Sequence, residues 1–283
     1  MSIGQPLLAL SVSVDYRNKP NALRNVSLEI GRDEILGLAG LSGSGKSTLA
    51  LSILGLLSLK GGKVRGQIHF QGQDLAAYSQ TQLRHVRGRE ISIVLQSPMT
   101  SLNPILRIGT QLREAWRAHA EGSPQDREAA ICAALHQVGL PHDKEFLKRR
   151  PSQLSVGQAQ RVTIAMAIMH RPSLLIADEA TSALDTISHA EILRLFARLN
   201  REMHMAILYI SHDLLSISAL CHRIAILLDG QIVECGSTSQ IFCTPQHTYT
   251  QLLVSALPRV PYLANSPEPN EDSLTELIGE TAR

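Results

Sequence analysis

The stretch Gly40-Leu41-Ser42-Gly43-Ser44-Gly45-Lys46-Ser47-Thr48, directly behind the apolar run Ile35-Leu36-Gly37-Leu38-Ala39, constrains this chain more than any other. It reads as a phosphate-binding loop between a buried strand and a helix. Glycines at 40, 43 and 45 let successive backbone N–H groups turn inward around phosphate oxygens, and the helix behind them presents its positive end. Lys46 supplies a point charge for the outer phosphates, and Ser47 stands where a hydroxyl ligates Mg²⁺. Ala50, Leu51, Ile53, Leu54 and Leu57 give the following helix an apolar face to bury. Gly40, Ser42, Gly43, Ser44, Gly45, Lys46, Ser47 and Thr48 are therefore the candidate nucleotide-binding set.

The rest of the chain supplies a fold for such a loop. Leu7 to Tyr16 and Ala22 to Ile30 alternate as strands around an Asn18-Lys19-Pro20-Asn21 turn, predicting an N-terminal antiparallel β lobe. A short strand is expected over Gln67 to Phe70, a polar helix ending near Gly88, and a buried strand over Ile91 to Leu95. From Pro104 to about Arg150 only helical spacing survives, as in Ile108-Leu112-Ala115-Trp116, which predicts a helical lobe inserted at about 97–157. Leu174 to Ala177, Ala206 to Ile210 and Ile224 to Leu228 return as apolar strands alternating with helices at Ile187 to Met203 and Leu214 to Leu220. That alternation predicts an α/β fold with a parallel central sheet, occupying 1–257, and the proline-rich polar segment 258–283 reads as a flexible C-terminal tail.

Composition narrows the function. Lys plus Arg at 27 against Asp plus Glu at 25 leaves a formal charge of +2, too small to favour nucleic acid or an anionic membrane surface as partner. The four cysteines form no CxxC pair, which argues against a disulfide framework or a zinc site and fits a reducing cytoplasm. Met1 to Pro6 lacks the start of a signal peptide. The longest mainly apolar run, Leu49 to Leu59, is too short to span a bilayer. Any membrane role must come through a partner.

Leu174-Leu175-Ile176-Ala177-Asp178-Glu179 is an apolar strand ending in two carboxylates. Beside a phosphate loop, Asp178 can hold Mg²⁺ through its water shell, and Glu179 can orient or deprotonate an attacking water.

Leu154-Ser155-Val156-Gly157-Gln158 lies upstream of that strand. With it, the chain resembles the nucleotide-binding subunits of ATP-binding cassette (ABC) transporters, P-loop NTPases, over roughly residues 7 to 257. The resemblance rests on ordered motifs: the loop, Gln96, Leu154–Gln158, Asp178-Glu179, Asp185 and Ser211-His212. It implies that Tyr16 stacks on adenine, that Lys46 and the loop amides bind the phosphates of ATP, and that Ser47 with Gln96 ligates Mg²⁺. Glu179 would be the catalytic base, with His212 holding the γ-phosphate and attacking water. Ser155 and Gly157, with Gln158 and Asp185, would contact nucleotide at the joint with a second ATPase subunit, a paralogue or a second copy. A site split in this way stays incomplete until the subunits close.

Ser97-Pro98-Met99-Thr100-Ser101-Leu102-Asn103-Pro104, Ile164-Ala165-Met166-Ala167 and Thr244 to Thr250 are similar to the dipeptide, oligopeptide and nickel uptake branch. That branch implies an importer energised at the cytoplasmic face of the inner membrane. Its partners would be two transmembrane permease subunits and an extracytoplasmic substrate-binding protein, its cargo peptides, nickel, other chelated metals or opines. A soluble ABC protein of DNA repair or translation is the competing reading, disfavoured because such proteins carry long coiled coils or paired cassettes.

Four residues depart from the pattern. Val156 stands where glycine is usual: a positive φ there would cost about 1–2 kcal/mol, a helical one a few tenths. A weakened signature would make the chain a nucleotide-binding scaffold. Ala180, Leu41 and Thr248 replace proline, glutamate and proline and leave the chemical groups intact. No cysteine follows Cys243, so no iron–sulfur centre is expected.

Overall fold

A computed structural model describes residues 5–17 and 19–257. The expected tail at 258–283 and Asn18 of the first turn lie outside the described residues. The chain divides into two compact units, one built from residues up to 83 together with those from 206, the other spanning Arg84–Met205.

The first unit opens with β1 (Leu8–Tyr16) and β2 (Lys19–Ile30). Leu8, Leu10, Val12 and Val14 are buried at every second position, the pattern of a sheet with one face on a core. The pairing slips between Val12 and Val14, whose partners are Val26 and Leu23. Two residues of β1 thus oppose three of β2, and Asn25 takes φ 46° inside the bulge. Asparagine tolerates that left-handed conformation better than a branched residue would.

β3 (Ile35–Ala39) is buried at all five positions and runs into the glycine loop, which hands over to α1 (Lys46–Ile53). β4 (Gly62–Phe70) pairs antiparallel with β1 along its whole length, and β5 (Gln73–Asp74) completes this four-stranded sheet. β4 is longer than the four residues legible in the sequence. A short helix α2 (Gln80–Val86) follows.

In the second unit β6 (Ile91–Val94) is followed by α3 (Pro98–Ser101), α4 (Ile108–Arg117), α5 (Pro124–Gln137), α6 (Lys144–Lys148) and α7 (Val156–Ile168). β7 (Leu174–Asp178) then pairs parallel with β6, and α8 (Thr186–Met203) packs on α7. Ser123 and Asp126 form the capping box that starts α5. The bidentate Arg113–Glu128 pair joins α4 to α5, with Nε–Oε1 at 2.8 Å and Nη2–Oε2 at 3.0 Å.

The chain returns to the first unit with β8 (Ala206–Ser211), α9 (Leu214–Leu220), β9 (Arg223–Leu228) and β10 (Gln231–Ser237), then α10 (Thr238–Cys243) and α11 (Thr248–Ser255). β3 lies between β8 and β9, parallel to both, as expected for a sheet covered by helices. β10 adds an antiparallel edge, so this sheet is mixed. Gly37 lets α9 close on the sheet: a side-chain carbon there would meet Ile217 Cγ2 at 2.6 Å.

Candidate nucleotide-binding and hydrolytic site

In the first unit the loop geometry follows from its glycines. Gly40, Gly43 and Gly45 have φ of 154°, 83° and 113°, and a side-chain carbon on Gly40 would lie 2.2 Å from the Leu227 carbonyl. Only glycine fits there. Lys46, the first residue of α1, is buried and bends back so that Nζ donates to the carbonyls of Gly40 at 2.8 Å and Leu41 at 3.0 Å.

Three features of the loop fit a phosphate chain. No side chain caps α1, whose N-cap is Gly45 and whose first turn carries no acidic residue, so its N-terminal amides are not claimed by a side chain. The Ser44 hydroxyl is buried and has no hydrogen-bond partner among the described residues. Lys46 already holds a positive charge against the loop carbonyls. Buried polar groups without partners are costly, and an anionic oxygen is the acceptor that would satisfy the Ser44 hydroxyl and the amides together.

Tyr16 sits at the end of β1 with its hydroxyl 3.3 Å from Thr48 Oγ1, and a side-chain carbon on Gly62 would meet its ring at 3.0 Å. Ala39 pairs with Ser211 across β3 and β8. Gly40 and His212 therefore leave the carboxyl ends of neighbouring parallel strands, where α/β sheets place ligands. Two contributors were not evident from sequence. Lys19 Nζ donates to the Gly43 carbonyl at 3.3 Å, and Gly230 N donates to the Ser44 carbonyl at 3.0 Å. Both lie far from the loop along the chain, so no local pattern announces them.

The second unit carries the other candidates. Val94 pairs with Ala177, and Gln96 and Glu179 each stand two residues beyond that pair. Asp178 is buried at the end of β7. Glu179 takes φ 50°, an uncommon conformation for a non-glycine residue. Its carbonyl accepts from Ser182 N and Oγ, at 3.2 and 3.0 Å, which fixes the turn.

Ser155 caps α7. Its hydroxyl accepts from Gln158 N at 3.1 Å, and Gln158 Oε1 accepts from Ser155 N at 3.2 Å. Asp185 caps α8 and accepts from Ser188 N at 2.9 Å and Ser188 Oγ at 2.8 Å. The backbone N–H of Ser188, then its hydroxyl, holds the Asp185 carboxyl below its usual range. Val156 is the first residue of α7 and is absent from the positive-φ positions, so its backbone cost is the smaller of the two alternatives. Its side chain is 43% exposed.

Ser47, Gln96 and Asp178 are all oxygen donors, the chemistry that suits a hard cation such as Mg²⁺.

The sequence profile described as "ABC transporter" matches residues 23–182, more than half of the chain. The chain belongs to the ABC transporter family. It is 41% identical over 250 residues to the dipeptide transport ATP-binding protein DppD of Escherichia coli (strain K12), covering 88% of this chain and 76% of DppD. It is 42% identical over 246 residues to the glutathione import ATP-binding protein GsiA of Salmonella choleraesuis (strain SC-B67), covering 85% of this chain and 40% of that longer protein. The chain thus spans well under half of GsiA.

Among solved structures, a dimeric ATP-binding cassette in a post-hydrolysis state with ADP and Pi aligns at TM-score 0.70 and 26% identity, covering 82% of this chain and 98% of that one. The cbiO1 protein of Clostridium perfringens, part of the cbiONQ transporter complex, aligns at TM-score 0.74 and 24% identity over 92% and 98% of the two chains, a likeness of fold. This ABC family member therefore carries an ATPase cassette.

Proposed function

We propose that the chain is the ATP-hydrolysing subunit that energises an ABC importer of peptides or peptide-like compounds. The observation that carries this reading is the loop itself, where an uncapped helix, the buried Ser44 hydroxyl and the Lys46 charge meet. The cargo class is favoured by the names of DppD and GsiA, a dipeptide and a glutathione transporter. Those names favour peptides over nickel, other chelated metals and opines.

In this reading the loop amides and Lys46 hold the phosphates of ATP, and Tyr16 lies against the base. Ser47, Gln96 and Asp178 would hold Mg²⁺, which when bound would supply positive charge against the phosphates. Glu179 accepts a proton from the attacking water, and His212 orients that water and the outer phosphate. Ser155, Gly157, Gln158 and Asp185 face nucleotide at the joint with a second ATPase subunit. The chemistry rests on positioning and electrostatic stabilisation.

The remaining partners are two transmembrane permease subunits and an extracytoplasmic substrate-binding protein, with this chain peripheral on the cytoplasmic face of the inner membrane. No helix among the described residues is long and apolar enough to cross a membrane, which agrees with a role through partners. The test is ATPase activity of the purified chain, with and without its partner ATPase and permeases, beside Glu179→Gln. Activity that needs the partners and is lost in Glu179→Gln supports the reading. Partner-independent turnover points to a soluble ABC ATPase, and turnover equal in Glu179→Gln to a scaffold role.

A further inference from the structure

A groove of about 560 Å³ opens in the first unit, and its walls come from β1, β2, β4 and β10. This volume falls within the range of small-molecule sites, roughly 300–1,000 Å³. Arg24 and Arg65 line it together with Ser13, Asn21, Asn25 and Gln231, and no carboxylate is among its lining residues. None of the nucleotide-site candidates belongs to it.

The charges of the groove are held in place by neighbouring polar groups. Gly66 lines the groove with φ 111°, and a side-chain carbon there would land 2.0 Å from the Ser11 carbonyl, so β1 and β4 approach closely at this point. Asp15 sits beside the groove, accepting from Arg65 Nη2 at 2.6 Å and from Asn21 N at 2.7 Å. Ser13 Oγ donates to Asn25 Oδ1 at 3.0 Å and accepts from Asn25 N at 3.0 Å, which pins the bulge residue. Arg24 Nη2 donates to the Asp229 carbonyl at 2.8 Å. Each guanidinium is thus anchored through one nitrogen and keeps further N–H donors for a ligand.

The same anchors lead to the phosphate loop. Arg24 N donates to the Gly230 carbonyl at 2.7 Å, and Gly230 N donates to the Ser44 carbonyl at 3.0 Å. The Asp229-Gly230 turn therefore touches the groove arginine on one side and the loop on the other. β2 makes a second connection: a side-chain carbon on Gly45 would meet Leu23 Cδ2 at 2.7 Å and the Ala22 carbonyl at 3.2 Å, so the residues before Arg24 pack directly on the loop.

We propose that this groove binds a small dianion, a dicarboxylate or a phosphate monoester, and that its occupancy adjusts nucleotide affinity through the Asp229-Gly230 turn. Two guanidiniums flanked by hydroxyls and amides match oxygens in pairs; no carboxylate lines the groove itself, so an anion there meets Arg24 directly and shares the Arg65 guanidinium with Asp15. A ligand that draws Arg24 toward the groove competes with the Asp229 carbonyl for the guanidinium and moves the turn that holds Ser44. By linkage, nucleotide must change dianion affinity by the same factor. The binding half of the proposal stands apart from hydrolysis; the coupling half rests on nucleotide occupying the loop.

The experiment is calorimetric titration of the full chain with malonate and, separately, with glycerol 3-phosphate, at matched ionic strength, first without nucleotide and then with saturating ADP. The expected result is saturable binding of at least one probe that Arg24→Gln and Arg65→Gln each weaken roughly tenfold, persists with ADP bound, and shifts ADP affinity by roughly fivefold. Which probe binds distinguishes the carboxylate from the phosphate ester. No saturable binding, binding untouched by both substitutions, or one-for-one displacement by ADP would overturn the site. Binding that leaves ADP affinity unchanged would overturn the coupling.

Discussion

Ser188 stands between Gly157 and the Asp185 cap: a side-chain carbon on Gly157 would lie 3.1 Å from Ser188 Oγ, the hydroxyl that donates to the Asp185 carboxylate. The start of α7 and the start of α8 therefore share one small polar contact. Gly157→Ala crowds it, and the crowding should vanish when Ser188 is also alanine. A double-mutant cycle on urea unfolding should give a coupling of about 0.5–1 kcal/mol between the two positions. Additive effects would mean that the helix termini adjust independently.

Ser44→Ala separates the needs of the empty loop from those of the loaded one. The serine hydroxyl is buried without a protein partner, so its removal should stabilise the nucleotide-free chain by about 1 kcal/mol. Nucleotide affinity should fall at the same time. Thermal melts with and without ATP would read both, and a loss of stability in the free form would contradict the assignment of that hydroxyl to a ligand.

Glu179 pays for its position with an uncommon backbone conformation, φ 50°. Glu179→Gly should relieve strain worth about 1 kcal/mol and raise the melting temperature while removing turnover. Glu179→Gln should remove turnover without that gain. Comparing the two melts distinguishes a strained catalytic position from one held at no cost.

The second unit should weaken in mild acid. His119 lies edge-on to His170 with ring centroids 5.4 Å apart, and burial, then His170, His85 and Arg89, hold its pKa below the ordinary histidine value. A side-chain carbon on Gly88 would meet the His119 ring at 2.4 Å, so the backbone there closes over it. The unfolded chain takes up this proton near pH 6.5 while the folded chain resists it. The contribution is therefore complete above that pH and is lost as pH falls through the folded pKa. Urea midpoints from pH 8 to 5 should decline less steeply in His119→Gln than in the parent chain.

Much of this architecture was legible because apolar periodicity and loop chemistry coincide. The apolar pattern places a helix at Leu214–Leu220, its observed limits, and starts buried strands at Ile91, Leu174 and Ala206, where β6, β7 and β8 begin. Gly62–Gly66 of β4 and all of β10 escaped because their residues are mostly polar or only partly buried, so the pairing of backbone groups defines them more than any pattern of side chains. The site was legible where a motif is local, as at Gly40–Thr48. It was not legible where contact comes from far along the chain, as with Lys19 and Gly230 at the loop. The conformation of Val156 also lay beyond the sequence, since valine alone does not say whether its position is helical.

The unfinished start of α1 has a consequence for how the protein lives between turnovers. A helix that leaves its first amides without a side-chain cap borrows that cap from whatever binds the loop. With nucleotide seated as proposed, local opening of this segment should track its supply, and amide hydrogen exchange at Lys46 to Leu49 should slow on loading. In the proposed cycle the ligand would thus stand in for a missing turn of the backbone, supplied afresh each time.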